Sequence, residues 1–382
     1  MRQKGFHQSR RDYLRSIGLG AMGGMCLGMS RGCTSRAGDT IGTGIPGEAL
    51  FRKRETPAKV SLVKGESRRE IVYQSLLNIK DDIVRAIGKK SVLIKPNMVL
   101  ADRRGCETPP DAVRGVLDFL QEHTKAKIIV GESTADRKMT TMECFEGYGY
   151  FSVRDEYRVE LVDLNKQPWE QRFIFGKDNT PVPIRVNSAL MDPGVFLISV
   201  PRMKVHCHAY VTLSLKNVLM AAPVNDYTEP EKGWTNGDKY AMHVTPEFSL
   251  NDPLFYNMFL LSHHVFPDLA VIDGFEGMSD RGPAGGRMVD SHVAVASLDA
   301  LAADVTGTMV MGLDPTIPPY LNFIGAAGLG QGDPEKIHFI GTPLDDCIYQ
   351  YRACRNFEEA GKSAVTVPEL FCPGKDPLIH EA

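Results

Sequence analysis

The chain has 382 residues, 43% of them hydrophobic, with 44 Lys and Arg against 47 Asp and Glu, enough for one large or two ordinary domains with a substantial core. Seven of the basic groups and one acid fall in residues 1–36, so the remainder is acidic, with 37 basic against 46 acidic residues. That balance excludes nucleic acid as a partner, since binding a polyanion needs concentrated positive charge.

The chain opens with a paired Arg10 and Arg11, then Tyr13, Leu14 and Arg15, then a run from Ser16 to Ser30 without charge and with five glycines. Such a run is too short and too glycine-rich for a stable transmembrane helix. A basic start, a weakly apolar middle and a small-residue exit at Ser35 and Ala37 make residues 1–37 an export signal of the twin-arginine type, read by the twin-arginine export machinery. The expected location is therefore periplasmic or otherwise exported, with no transmembrane span. Cys33 offers a second reading as a lipid-attachment site, which Ser30, Arg31 and Gly32 before it suit poorly.

Residues 38–57, rich in Gly, Thr and Pro, read as a linker. Beyond it, strand-like and helix-like segments alternate. KVSLV precedes one helical pattern from Arg68 to Ile87; SVLIKPN is a short strand; PPDAVRGVLDFLQEH has proline at a helix start; KIIVGES is another buried strand. This rhythm predicts an α/β fold: a mostly parallel sheet with helices on both faces. RFIFG and VPIRV predict a small antiparallel insertion, and GVFLISVP resumes the buried strands. The polar stretch 223–253 is a long loop, a kind usually functional or disordered. A helix from Pro253, the strands DLAVIDGFEGM and HVAVASLD, a helix opened by Asp299 and the strand KIHFIG form a C-terminal α/β portion. The domain is set at 58–345, as one body or as two lobes at 58–200 and 201–345, with a tail at 346–382. Of the six later cysteines none forms a C-x-x-C pair, so the chain has no iron–sulfur cluster motif. Cys347 and Cys354 are the expected disulfide pair.

Ligands of open α/β sheets bind outside the carboxyl ends of the strands. Lys95 and Asn97 follow VLI, Glu132 follows IIVG, Lys204, His206 and His208 follow VFLISV, and Asp273 and Glu276 follow LAVI. All are expected at one crevice. His206 and His208, two apart on extended backbone, leave the same face and can share a transition-metal ion with Asp273 or Glu276 as oxygen ligand. Alternatively His206 is a general base, or His208 and Cys207 are simply packed loop residues. Lys95, Lys204 and Lys216 supply positive charge for a small anionic ligand or substrate. A helix starting near Thr212 places Thr212 and Lys216 on one face, with Asn217 beside them and its N-terminus toward an anion. Gly277 and Gly286, in a glycine-rich loop, permit close approach to a cofactor, and the same pattern serves as a plain turn.

IKPNM, VPRMKVHCHAYVTLSLKN, VIDGFEGMSDRGPAGG and VASLDALAADVTG, in this order, resemble the family called domain of unknown function 362, over about Lys59 to Gly341. The resemblance implies an α/β domain, often beside iron–sulfur modules, without a settled reaction. His206 and Lys216 are also similar in order and spacing to the histidine and lysine of the nickel-pincer lactate racemase family. Leu213, Ser214 and Leu215 stand where that family has glycines. Two functions stay open: an exported metal- or cofactor-dependent oxidoreductase or isomerase acting on a small anion, and a non-catalytic metal- or ligand-binding accessory protein of an exported redox system.

Overall fold

A computed structural model describes residues 55–354 and 357, apart from 102, 137, 177–179, 227–236 and 244–252. The proposed signal, most of the linker and most of the long polar loop lie outside the described residues.

In chain order the strands are β1 (Ala58–Lys64), β2 (Ser91–Pro96), β3 (Ile128–Glu132), β4 (Glu160–Asp163), β5 (Trp169–Phe175), β6 (Pro181–Asn187), β7 (Val195–Val200), β8 (Arg202–His206), β9 (Tyr210–Thr212), β10 (Leu269–Ser279), β11 (Arg287–Ser297) and β12 (Ile337–Gly341). The helices are α1 (Arg68–Leu77), α2 (Lys80–Ile87), α3 (Pro110–His123), α4 (Thr141–Gly147), α5 (Tyr150–Tyr157), α6 (Ser214–Leu219), α7 (Asp238–Ala241), α8 (Pro253–Ser262), α9 (Ala300–Val310) and α10 (Pro319–Ala326).

The main sheet runs β12-β1-β11-β10-β7-β2-β3-β4, and β8 extends β10 with β9 beside it. Pairing is parallel except where β11 meets β1 and β10 and where β8 meets β9. The α/β reading holds, including the separate antiparallel pair β5–β6. The central strands are continuous β-branched and leucine runs because both faces are covered. Val92, Ile94, Val130, Phe196, Ile198 and Val271 join Val113, Val116, Leu117, Phe119 and Leu120 of α3 in one buried cluster. Each such side chain contributes roughly 1.5–3 kcal/mol on burial.

Four details depart from the sequence reading. The helical pattern 68–87 is two helices, broken at Asn78, whose amide leaves the helix to donate to Ser61 Oγ at 3.1 Å. Positions 200 and 201, where two lobes would divide, lie between β7 and β8, and both strands pair with β10. The chain also stays on the domain beyond 345: Tyr349 and Tyr351 donate to the end of α9, and Arg352 N to Ser279 Oγ. The disulfide joins Cys207 to Cys354, 147 residues apart, and not Cys347 to Cys354; Cys347 is a buried free thiol. Nearness in sequence misled there, because the segment after Cys347 crosses back to the β8–β9 turn. No helix among the described residues is long and apolar enough to cross a membrane.

Candidate functional site

Parallel strands ending together leave their last side chains at one rim. β2 delivers Lys95, then Asn97; β3 delivers Glu132; β8 ends on His206; and β9 leads through Thr212 into α6 with Lys216 and Asn217. All of these line one cavity of about 640 Å³, together with His208, Lys239, His243 and the exposed Arg103 and Arg281.

The floor is a hydrogen-bonded network. Lys95 Nζ lies 2.7 Å from Glu132 Oε1 and donates to Asn217 Oδ1 at 2.9 Å and to Pro96 O at 2.6 Å. Both members of the ion pair are 1% exposed. Burial pulls the Lys95 pKa down, and the Glu132 charge partly restores it. Asn217 Oδ1 also accepts from Asn97 Nδ2 at 3.0 Å, while its amide donates to Lys95 O and Ser199 Oγ. Asn97 Oδ1 accepts from Lys204 Nζ at 2.6 Å. Lys204 therefore sits behind the wall rather than in the cavity, also bound to Cys106 O, with its pKa lowered to about 8 by burial.

Lys216 differs from these lysines. It is 7% exposed, and its ammonium has no hydrogen-bond or ion-pair partner among the described residues. Burial, then the charges of Lys204 and Lys95, lowers it to about 7. Thr212 Oγ1 and Glu132 Oε2, also at the cavity, are buried without a partner. Lys239 is likewise lowered to about 7, chiefly by burial, but it donates to Met220 O and Ala221 O where α6 ends.

His206 is held by the β8–β9 turn. The backbone N–H groups of His208 and Ala209 both donate to its Nδ1, at 3.0 and 3.1 Å. A neutral imidazole carries one proton, so this one is on Nε2. Burial, followed by the Lys216 charge, holds the ring pKa well below its usual value. His206 therefore presents an N–H donor, and the base and metal-ligand readings of Nε2, which need a free lone pair, do not fit. His208 and His243 rings lie nearby, with centroids 6.3 Å (His206–His208) and 6.2 Å (His208–His243) apart.

The expected metal set is not assembled. Arg68 Nε on α1 lies 3.1 Å from Asp273 Oδ2, and Arg68 and Arg202 hold Glu276 at 3.4 and 3.2 Å. A register shift between Gly274 and Glu276 accompanies this placement. Neither carboxylate lines the cavity, and among the described residues no three His, Cys, Asp or Glu groups are placed to hold a metal ion. Gly277 and Gly286 are not cavity residues either. A Cβ on Gly277 would strike the Tyr351 hydroxyl, and one on Gly286 the carbonyls of Arg281 and Ser279; both glycines allow close packing. Gly282, in the same loop, reaches the cavity wall, where a Cβ would collide with Val205 O. The start of α6 is not open to an anion, because the buried Asp304 carboxylate accepts from Ser214 N and Leu215 N at 2.7 and 2.9 Å.

Sequence reading missed Lys239 and His243, which lie within the polar stretch 223–253 and carry no local motif. Asp299, expected as a helix cap, accepts from Ala302 N at 3.0 Å.

A thylakoid-associated protein of Synechocystis is 27% identical over 231 residues, 59% of this chain and 65% of that protein, so the match spans just under two thirds of the relative. Among solved structures, the lactate racemase apoprotein of Thermoanaerobacterium thermosaccharolyticum superposes with a TM-score of 0.41 at 14% identity, covering 71% of this chain and 59% of that one. A structural-genomics protein of Thermotoga maritima gives 0.36 at 14% identity, covering 56% and 52%. At that similarity neither structure assigns chemistry to this chain. The sequence pattern of the domain of unknown function family DUF362 matches residues 92–309, more than half of the chain, and the protein belongs to that family.

Proposed function

We propose that this protein is an exported enzyme whose strand-end cavity binds a small anionic molecule. The observation that carries the reading is the Lys216 ammonium, on a residue only 7% exposed and without a hydrogen bond or ion pair among the described residues, lining the same cavity as the unpartnered Thr212 hydroxyl. An isolated buried charge is costly, and a bound anion removes that cost. Lys239 adds charge close by, and the exposed Arg103 and Arg281 offer guanidinium groups that carry no ion pair among the described residues. Glu132 is spent on Lys95 and Asp226 on Arg185, so the lining leaves an excess of positive charge. His206 Nε2–H offers a neutral donor to a second oxygen of the guest.

Export is supported by the Arg10–Arg11 signal pattern and by the Cys207–Cys354 disulfide, which suits an oxidising compartment. The separation between enzyme and binding protein rests on turnover, and the site favours chemistry through the low-pKa amine that a purely structural pocket has no use for.

The test is calorimetric titration with small mono- and dicarboxylates and their neutral amides. Carboxylates bind and amides do not; Lys216→Ala weakens binding at least tenfold while the variant melts normally. Equal binding of acids and amides would remove the anion reading. Fractionation of cells expressing the full chain, with Arg10→Lys and Arg11→Lys together, tests export: the protein moves from the exported fraction to the cytoplasm.

A further inference from the structure

Four lysines are buried at or beside the cavity, and three of them are occupied. Lys95 is bound to Glu132, Asn217 and a carbonyl; Lys204 to Asn97 and a carbonyl; Lys239 to two carbonyls. Their lone pairs cannot be exposed without breaking those contacts. Lys216 alone of the four has no such contact among the described residues, and it faces open volume. An amine in this setting is a nucleophile as well as a charge.

We propose that Lys216 forms an imine with a carbonyl-bearing anion, a 2-oxo acid or an aldehyde acid, an assignment that rests on the anion reading above and names its substrate class. The neutral Nζ adds to the carbonyl carbon, a C–N bond forms, and the carbonyl electrons pass to oxygen, which takes a proton. The carbinolamine then loses water: its C–O bond breaks, C=N forms, and the nitrogen proton leaves with solvent. No electron is gained or lost. The groups around the amine fit each requirement. His206 Nε2–H is a donor for the carbonyl oxygen, and Thr212 Oγ1 is a buried hydroxyl awaiting a partner. Arg103 and Arg281 at the exposed side suit the carboxylate, so the anion need not consume the amine. Lys95, Lys204, His206 and His243 surround Lys216 electrostatically, and no carboxylate is among the groups that shift it, so its neutral form is populated near pH 7.

The experiment incubates the full-length purified protein with pyruvate or glyoxylate and cyanoborohydride at pH 7.5, and locates the reduced adduct by peptide mass mapping. The result expected is one adduct per chain at Lys216, formed at least tenfold faster than at any other lysine, and lost in Lys216→Arg, whose folding is checked by its melting curve. Labelling spread over surface lysines, or unchanged labelling in Lys216→Arg, overturns the assignment. Should Lys216→Arg fold poorly, competition decides the question: a non-carbonyl carboxylate such as lactate slows trapping in the native protein if the site is right and leaves it unchanged if it is wrong. Carboxylates that bind by calorimetry while no adduct forms would sink the imine and leave the anion reading standing. Equally fast trapping of acetaldehyde and glyoxylate would do the reverse.

Discussion

Two groups of charge, most of them buried, lie along β8. At its start, Arg202 and Arg68 face Glu107, Asp273 and Glu276, with contacts from 2.7 to 3.6 Å. At its far end, Lys95, Lys204, Lys216 and Lys239 approach the cavity with Glu132 as the one carboxylate in ion-pair contact among the described residues. The first group is closed: each guanidinium fork spans two carboxylates, the geometry that suits arginine. The second is left open, with the Lys216 ammonium, the Thr212 hydroxyl and the second oxygen of Glu132 unmatched among the described residues. Lone point charges on flexible stems suit a guest that comes and goes. Ionisable residues at strand ends are thus not one class; those already matched hold the fold, and those unmatched mark the site.

That contrast has measurable consequences. The largest is expected where a pair is cut. Lys95→Ala leaves Glu132 charged and buried, at a cost of about 3–5 kcal/mol, visible as a lower midpoint in urea unfolding. Arg68→Ala should cost less, since Arg68 is partly exposed, and should leave carboxylate affinity unchanged; a large loss of affinity would merge the two clusters. Cys354→Ser removes a long-range link and should destabilise by roughly 2–4 kcal/mol. Because Cys207 lies between His206 and His208, the same variant should also weaken ligand binding, which calorimetry reads separately.

Lys216→Met should go the other way. The folded pKa of about 7 lies below the ordinary 10.5, so the unfolded chain holds more protons between those values. The stability contribution of Lys216 is then full above pH 10.5 and is lost as pH falls toward 7. The methionine variant should be more stable than the native chain at pH 7, by on the order of 1–3 kcal/mol, with the difference narrowing toward pH 10. Equal stability at both pH values would mean that Lys216 is solvated. The smallest change is Thr212→Val, which deletes an unpartnered hydroxyl. Stability should stay within about 1 kcal/mol, while affinity for the anion falls a few-fold.

The sheet was legible because its strands are unbroken β-branched runs; the rule about strand ends pointed to Lys95, Asn97, Glu132, His206 and His208, and the helix expected near Thr212 to Thr212, Lys216 and Asn217, all of which line one cavity. The same rule failed for Asp273 and Glu276. It says which end of a strand a residue occupies, but not which partner reaches that side chain first, and Arg68 comes from a helix 205 residues earlier. His206 was read as a base because composition does not show a turn whose backbone amides own Nδ1. Asp304 at the start of α6 was invisible for a like reason: its contact spans 90 residues. Lys239 and His243 gave no signal, because they lie within a polar stretch without periodicity.

The central claim is that the Lys216 ammonium is held in wait for an anion. The most direct measurement follows the lysine Nζ signals by NMR during a pH titration, with Lys216→Arg to assign the resonance, first without and then with a saturating small carboxylate. The account predicts an apparent pKa of about 7 in the free protein that rises when the carboxylate binds. A value near 10.5, unmoved by carboxylate, would contradict it.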